Sequence, residues 1–291
     1  MPATRASSIL LLCVGMTCMS SSFLFIRLSS MEAVPLAACR LVVSTLVTLP
    51  LFFRAFRRDR AVFRWADLQG CLGPGIALGL HLILWNIGCR MTTAANSTLI
   101  VNLSPIALPF ALWFLAKEKV VRGELIATAL AFSGLVVLAT LDHHAGSNHL
   151  AGDMVCFASM LMLACYVAFS RKSAPAFREP WLFIVPVYGA AAVTCSIATL
   201  IGGRSPWPGS SRDWWCVMGM VLFPTILGHG LWLMALRQVR GQIAGIFGAS
   251  QFIPASVLAW LALGEMPSAP LFQAAGLVLT GMIVALRAKS V

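Results

Sequence analysis

Two histidines, His81 and His229, are the titratable side chains set deepest within long apolar stretches of this sequence. Imidazole titrates near neutrality and both donates and accepts hydrogen bonds, so either ring could bind a polar ligand or carry a proton. Either could instead be held by a carbonyl of a neighbouring helix. Trp85 lies four residues after His81 and shares its helix face. A second group of polar residues gathers beside prolines: Asn96, Asn102 and Ser104 precede Pro105, and Ser250 and Gln251 precede Pro254. Pro105 has no N–H, so the carbonyl near Val101 loses its helical donor. In hydrocarbon that loss is tolerated only where protein or cavity water supplies a replacement. These side chains therefore read as the lining of a wet cavity, or as hydrogen bonds that stitch helices together.

Arg40 lies some seven residues into an apolar stretch. Its long stem could carry the guanidinium out to the interface; alternatively it attracts a carboxylate ligand or pairs with Glu32. Tyr166 and the Ser20–Ser22 run are further candidate walls, and Pro74, Pro186 and Pro224 are candidate kinks or gate hinges. What is missing bears equally on function. All ten acidic residues, from Glu32 to Glu265, fall in loops or at the ends of apolar stretches. A proton relay or a sodium cage built on carboxylates would need one in the middle of the membrane. The nine cysteines contain no C-x-x-C pair, so neither zinc nor a disulfide framework is indicated. His143, His144 and His149 share a polar loop with no helical ligand spacing, which favours a solvated segment over a metal site. No phosphate-binding G-x-x-x-x-G-K-[ST] occurs. An integral membrane enzyme acting on lipid would need a nucleophile, an acid–base pair or a metal cluster, and none is present. The expectation is a protein without cofactor or metal that is not an enzyme.

The elements that position these residues are helices in a membrane. Hydrophobic residues make up 59% of the 291, charged residues only 11%, and mean hydropathy is +0.87. A soluble domain carries roughly a quarter charged residues. The apolar runs are continuous rather than alternating, which excludes a β-barrel and predicts helices. Spans are expected near 7–27, 33–53, 66–89, 92–115, 123–141, 150–170, 181–202, 213–236, 241–263 and 268–286. The first lacks an A-x-A cleavage site and reads as a retained helix. With the N-terminus cytoplasmic, the inner side carries 16 of the 21 Lys and Arg residues and the outer side four. That bias predicts both termini in the cytoplasm. It also accounts for the net charge of +11, so nucleic acid is not an expected partner. The segment Arg54–Trp65 reads as a basic cytoplasmic loop facing anionic headgroups.

The second half repeats the first. Trp85, Arg90, Trp113, Glu118 and Gly134 recur 147 positions later as Trp232, Arg237, Trp260, Glu265 and Gly281. The expected division is 1–141 with spans 1–5 and 150–291 with spans 6–10. An odd number of spans per copy inserts the copies in opposite directions. The fold expected is all-α: ten transmembrane helices in two inverted five-helix repeats. His81 and His229 then fall on partner spans, about 10 Å apart along the membrane normal at 1.5 Å per residue.

These residues carry a resemblance. Ala94-Ala95-Asn96-Ser97-Thr98-Leu99-Ile100, with Asn102-Leu103-Ser104-Pro105, is similar to the fourth span of the EamA family of the drug/metabolite transporter superfamily. Pro254 to Gly264-Glu265, with Gln273, Gly276 and Gly281, resembles its ninth and tenth spans, and Pro35, Ala37, Ala38 and Arg40 its second. Two positions depart from the family pattern: Met19-Ser20-Ser21-Ser22 replaces a tryptophan-glycine, and Lys117-Glu118 replaces a glycine-glutamate. The resemblance implies a secondary-active transporter in the bacterial inner membrane, exporting small polar metabolites such as amino acids by alternating access. The wider superfamily keeps drug and nucleotide-sugar transport open as alternatives. The partners implied are a small-molecule substrate and the lipid bilayer, and exposed apolar helix faces leave a homodimer open.

Overall fold

The computed structural model of the chain describes residues 5–60, 63–92, 94–141, 150–263 and 269–287. His143, His144, His149 and Glu265 lie outside the described residues, as does the side chain of Asn96. The described residues form helices and turns, with no strand among them.

Helices α1 (Arg5–Ser20) and α2 (Ser22–Leu28) form one rod interrupted at Ser21. Next come α3 (Ala33–Asp59) and α4 (Gln69–Met91). Leu103 separates α5 (Ala94–Asn102) from α6 (Ser104–Ala111), which runs on into a π-helical turn, Leu112–Ala116. The first half closes with α7 (Arg122–Leu141). The second half opens with α8 (Leu150–Ser173) and α9 (Trp181–Ile201). Its next rod is α10 (Ser211–Met220), a π-helical stretch Val221–His229 and α11 (Gly230–Leu236). Then α12 (Gly241–Ala249) is parted from α13 (Phe252–Leu263) at Ser250 and Gln251, and α14 (Ala269–Arg287) follows. Among the described residues seven helices are long and apolar enough to cross a membrane; Ile100–Ala116 and Leu271–Arg287 are shorter apolar helices.

Two expectations are corrected here. The basic segment after span 2 is not a loop at its start: α3 continues through Arg54, Arg57 and Arg58 to Asp59. Arginine is a good helix former, and positive charge suits a helix C-terminus. Phe52, Phe56, Phe63 and Trp65 pack as an aromatic cluster over this end. Pro74 does not break its span, because α4 runs unbroken through it. The carbonyl it deprives of a donor is that of Gly70, in the first turn of the helix.

Large apolar side chains such as Phe110, Ile201, Trp215, Leu261 and Phe272 are exposed on the outside of the bundle. On a soluble protein so much apolar surface would call for a partner; a bilayer covers it. Inside, small residues let backbones meet. Gly75 and Gly79 of α4 lie against α9, and Gly241 and Gly245 of α12 lie against Leu112 and Leu108.

The packing partners follow the repeat. Helix α7 packs on α14 and α3 on α9, so spans 5 and 2 each meet their own counterparts. A Cβ on Gly134 would stand 2.7 Å from the carbonyl of Ala274, and one on Gly281 would stand 2.8 Å from that of Ala127. Ala127 and Ala274 are themselves 147 positions apart. Contact therefore runs from 127 to 134 on one helix and from 281 back to 274 on the other: α7 and α14 cross antiparallel through a self-complementary seam. Gly134→Ala and Gly281→Ala should each lower stability by about 1–3 kcal/mol through overpacking. Gly276→Ala, whose new methyl would meet nothing within 4 Å, should change little. Thermal unfolding in detergent micelles compares the three.

Candidate functional site

The site arises where helices stop short. Asn102 and Gln251 lie 149 residues apart, as do Pro105 and Pro254, so both halves interrupt the same span at the same place. In the first half the Leu103 N–H donates to the Ile100 carbonyl (3.1 Å) and the Ile106 N–H to that of Leu103 (2.9 Å). In the second, the Gln251 N–H donates to the Gly248 carbonyl (3.1 Å). The Ser250 carbonyl, which Pro254 leaves without its helical donor, takes the Ile253 N–H (3.0 Å). Pro109 likewise deprives the Pro105 carbonyl, and Gln242 of α12 repairs that loss: its Nε2 donates to Pro105 O (3.0 Å) and to Thr128 Oγ1 (2.6 Å).

Beside these breaks lie two small adjoining cavities of about 20 and 30 Å³ that share Met19, Asn102 and Gln251 as walls. Ser20, Ser22, Phe23, Trp85 and Thr98 complete the polar and aromatic lining of the smaller lobe. Ser104, Tyr166, His229 and Trp232 do so for the larger, beside Met16, Leu163 and Val167. The Tyr166 ring stacks on Trp232 at 5.9 Å and meets His229 edge-on at 5.9 Å. Three buried polar atoms here have no hydrogen-bond partner: Asn102 Nδ2, Tyr166 OH and His229 Nδ1. Gln251 Nε2 has only the Met16 sulfur at 3.9 Å. Unmet polar groups in a membrane interior cost several kcal/mol each, and here they converge on one space.

Of the residues expected to bind substrate, Trp85, Asn102, Ser104, Tyr166, His229, Trp232 and Gln251 meet at this chamber. His81 does not. Its Nδ1 faces the Ser159 carbonyl (3.1 Å) and Oγ (2.9 Å) while Ser159 Oγ donates to the His81 carbonyl (3.0 Å), which locks the ring into the α4–α8 seam. Ser250 turns its hydroxyl to the Phe247 carbonyl (2.7 Å) and only frames the break. Arg40 neither reaches the interface nor pairs with Glu32: it is 1% exposed, and Glu32 is bonded to Arg204. Instead Arg40 Nε donates to Thr225 Oγ1 (2.6 Å) and Nη1 to Ser22 Oγ (3.3 Å), just behind the smaller lobe. Pro224 gives its span a π-helical stretch rather than a plain kink; Thr225 Oγ1 donates to the Met220 carbonyl, four residues before Pro224 (2.7 Å). Tyr188 OH donates to the Thr225 carbonyl (2.8 Å).

Thr225, Tyr188 and Ser22 thus form a buried polar hub around Arg40. Of these the sequence singled out only Ser22, as one of a serine run; Thr225 directly after Pro224 was the signal for the rest. Two further networks close the ends of the bundle. At one end Glu118 pairs with Arg171 (2.8 Å) and accepts the Gly241 N–H (3.1 Å), while Glu124, wholly buried, pairs with Arg240. Bonding to Glu124 pushes the Arg240 guanidinium up from its ordinary value. At the other end Asp213 accepts from Ser29 Oγ (2.8 Å), from Ser30 N–H and Oγ (2.7 Å each) and from Ser210 Oγ (2.8 Å).

A helical bundle with repeat-related breaks around a polar chamber, and apolar side chains outside, is the architecture of a multi-pass membrane protein. The chain belongs to the EamA-like transporter family, which matches residues 6–140 and 150–287. It is 23% identical over 193 residues to the uncharacterized transporter YetK of Bacillus subtilis (strain 168); the match covers 61% of this chain and 55% of that relative's length. A solved structure described only as "Crystal structure of protein" shares the fold, with a TM-score of 0.78, 18% identity, and 99% and 100% of the two chains covered.

Glu124→Gln should strip Arg240 of its buried partner and lower stability by about 3 kcal/mol. Arg178→Gln removes an ion pair whose arginine is 79% exposed and should move it by less than about 1 kcal/mol. Thermal unfolding of the purified variants separates the two.

Proposed function

We propose that this chain is a secondary-active exporter of small polar metabolites, amino acids and related compounds among them. It would work by alternating access between halves 1–141 and 150–291, inserted in opposite directions through ten spans of the bacterial inner membrane, with both termini cytoplasmic. The observation that carries the reading is the convergence of three unpartnered polar atoms, from Asn102, Tyr166 and His229, on a chamber between two repeat-related helix breaks. Such a site gains a ligand's hydrogen bonds without losing any of its own. The antiparallel α7–α14 seam supports the inverted arrangement, and the Lys and Arg bias supports the orientation.

The Glu118–Arg171 and Glu124–Arg240 pairs tie the first half to the second on the side that the charge count assigns to the cytoplasm. They suit a gate that must open for substrate to enter. Drug or nucleotide-sugar transport is the less supported alternative. A sugar diphosphate would need several cations at the chamber, and among the described residues Arg40 alone stands beside it.

Reconstituted vesicles loaded with labelled amino acids and organic acids provide the test, with and without a pH gradient. Efflux should occur, and Asn102→Ala and His229→Ala should each cut the initial rate by roughly tenfold or more, a single lost hydrogen bond to substrate. His81→Ala should keep most of the rate per folded molecule while unfolding at lower temperature. Full activity of both chamber variants, or termini labelled on opposite sides of the membrane, would end the proposal.

A further inference from the structure

Arg40 holds a charge in the middle of the bundle with nothing of opposite sign beside it. Its hydrogen bonds go to two neutral hydroxyls, Thr225 Oγ1 and Ser22 Oγ, and not to a carboxylate. Six of the eight carboxylates among the described residues are held elsewhere: Glu118 by Arg171, Glu124 by Arg240, Glu32 by Arg204, Asp59 by Arg178, Asp213 by serines and Asp153 by Thr92. A buried guanidinium lacking a counter-charge is costly, and inside a membrane such a group marks a functional site.

The surroundings give that charge a direction. Ser22, at a long 3.3 Å from Nη1, also lines the smaller lobe, so a single residue links the guanidinium to the cavity wall. Thr225, on the other side, shares its π-helical stretch with His229 of the larger lobe. The chamber itself is rich in donors: Asn102 Nδ2 and Gln251 Nε2 can only donate, and Tyr166 OH and His229 Nδ1 can each offer a hydrogen. No carboxylate is among its lining residues, so an ammonium group would meet no opposite charge. Met16, Met19, Leu163 and Trp232 supply an apolar bed for the remainder of a ligand.

We infer that the ligand is a small organic anion, a carboxylate on an apolar body without an ammonium group, and that Arg40 is its counter-ion once Ser22 yields the Nη1 donor. This rests on the transporter reading and narrows it, setting organic acids ahead of zwitterionic amino acids.

Four probes with one six-carbon body isolate the charge: hexanoate, hexanamide, hexylamine and norleucine. Binding to the purified full-length protein is read from quenching of its tryptophan fluorescence, to which Trp85 and Trp232 in the chamber contribute. Hexanoate should bind roughly tenfold more tightly than each of the other three. Arg40→Gln should erase that preference and Arg40→Lys should keep part of it, since lysine retains the charge but not the fork. Ser22→Ala, which leaves the cation in place, guards against an Arg40 variant that fails to fold; it should change hexanoate affinity several-fold and leave hexanamide unmoved. Norleucine or hexylamine binding as well as hexanoate, equal affinities across the series, no binding of hexanoate, or an anion preference surviving Arg40→Gln would each overturn the inference. Failure of the transporter reading would look different: hexanoate would bind with its Arg40-dependent preference, yet nothing would cross reconstituted vesicles.

Discussion

Hydrocarbon offers a peptide group no hydrogen bond, so each carbonyl that a proline deprives of its donor must be repaired by protein or by water held within it. This constraint shapes the centre of the molecule. Pro109 strands the Pro105 carbonyl, and Gln242 answers from the opposite half. Pro254 strands the Ser250 carbonyl, and a tightened turn answers through Ile253. Pro224 disturbs its span, and Thr225 and Tyr188 answer with hydroxyls. The repairs need polar side chains in the interior, and those side chains create the only kind of environment in which Asn102, Tyr166 and His229 can lie buried without being fully bonded.

The same constraint separates two uses of polarity. At the bundle ends the polar groups are saturated: Asp213 accepts four hydrogen bonds, and Glu118 and Glu124 hold arginines and backbone N–H groups together. In the middle they are left short. Saturated networks hold elements in place, whereas an unsaturated one gains by taking up a ligand. The protein is tied where its halves meet at the surface and receptive where they meet at the core.

Much of this was legible in the residues themselves. Length of apolar run gave the helices, and the 147-residue offset marked counterpart spans, of which α3 with α9 and α7 with α14 pack on one another in the structure. Seven of the named side chains meet at the chamber because each sits near a proline or on the deep part of an apolar run. Depth alone could not choose between the alternatives open for His81 and Arg40, because their partners Ser159 and Thr225 lie 78 and 185 residues away and show no sign of partnership in the sequence. The length of α3 was underestimated because apolarity stops at Phe53 while helix propensity does not. The π-helical turns left no trace at all, since hydrophobic periodicity barely distinguishes them from ordinary helix.

The stretch Val221–His229 fits more residues into each turn than the α-helices before and after it. Rewound as ordinary helix, it would rotate everything beyond it about the axis. The imidazole of His229 and the indole of Trp232 would swing off the chamber, and Thr225 would leave the Arg40 guanidinium. Winding of this one segment and the chemical character of the cavity are therefore a single variable.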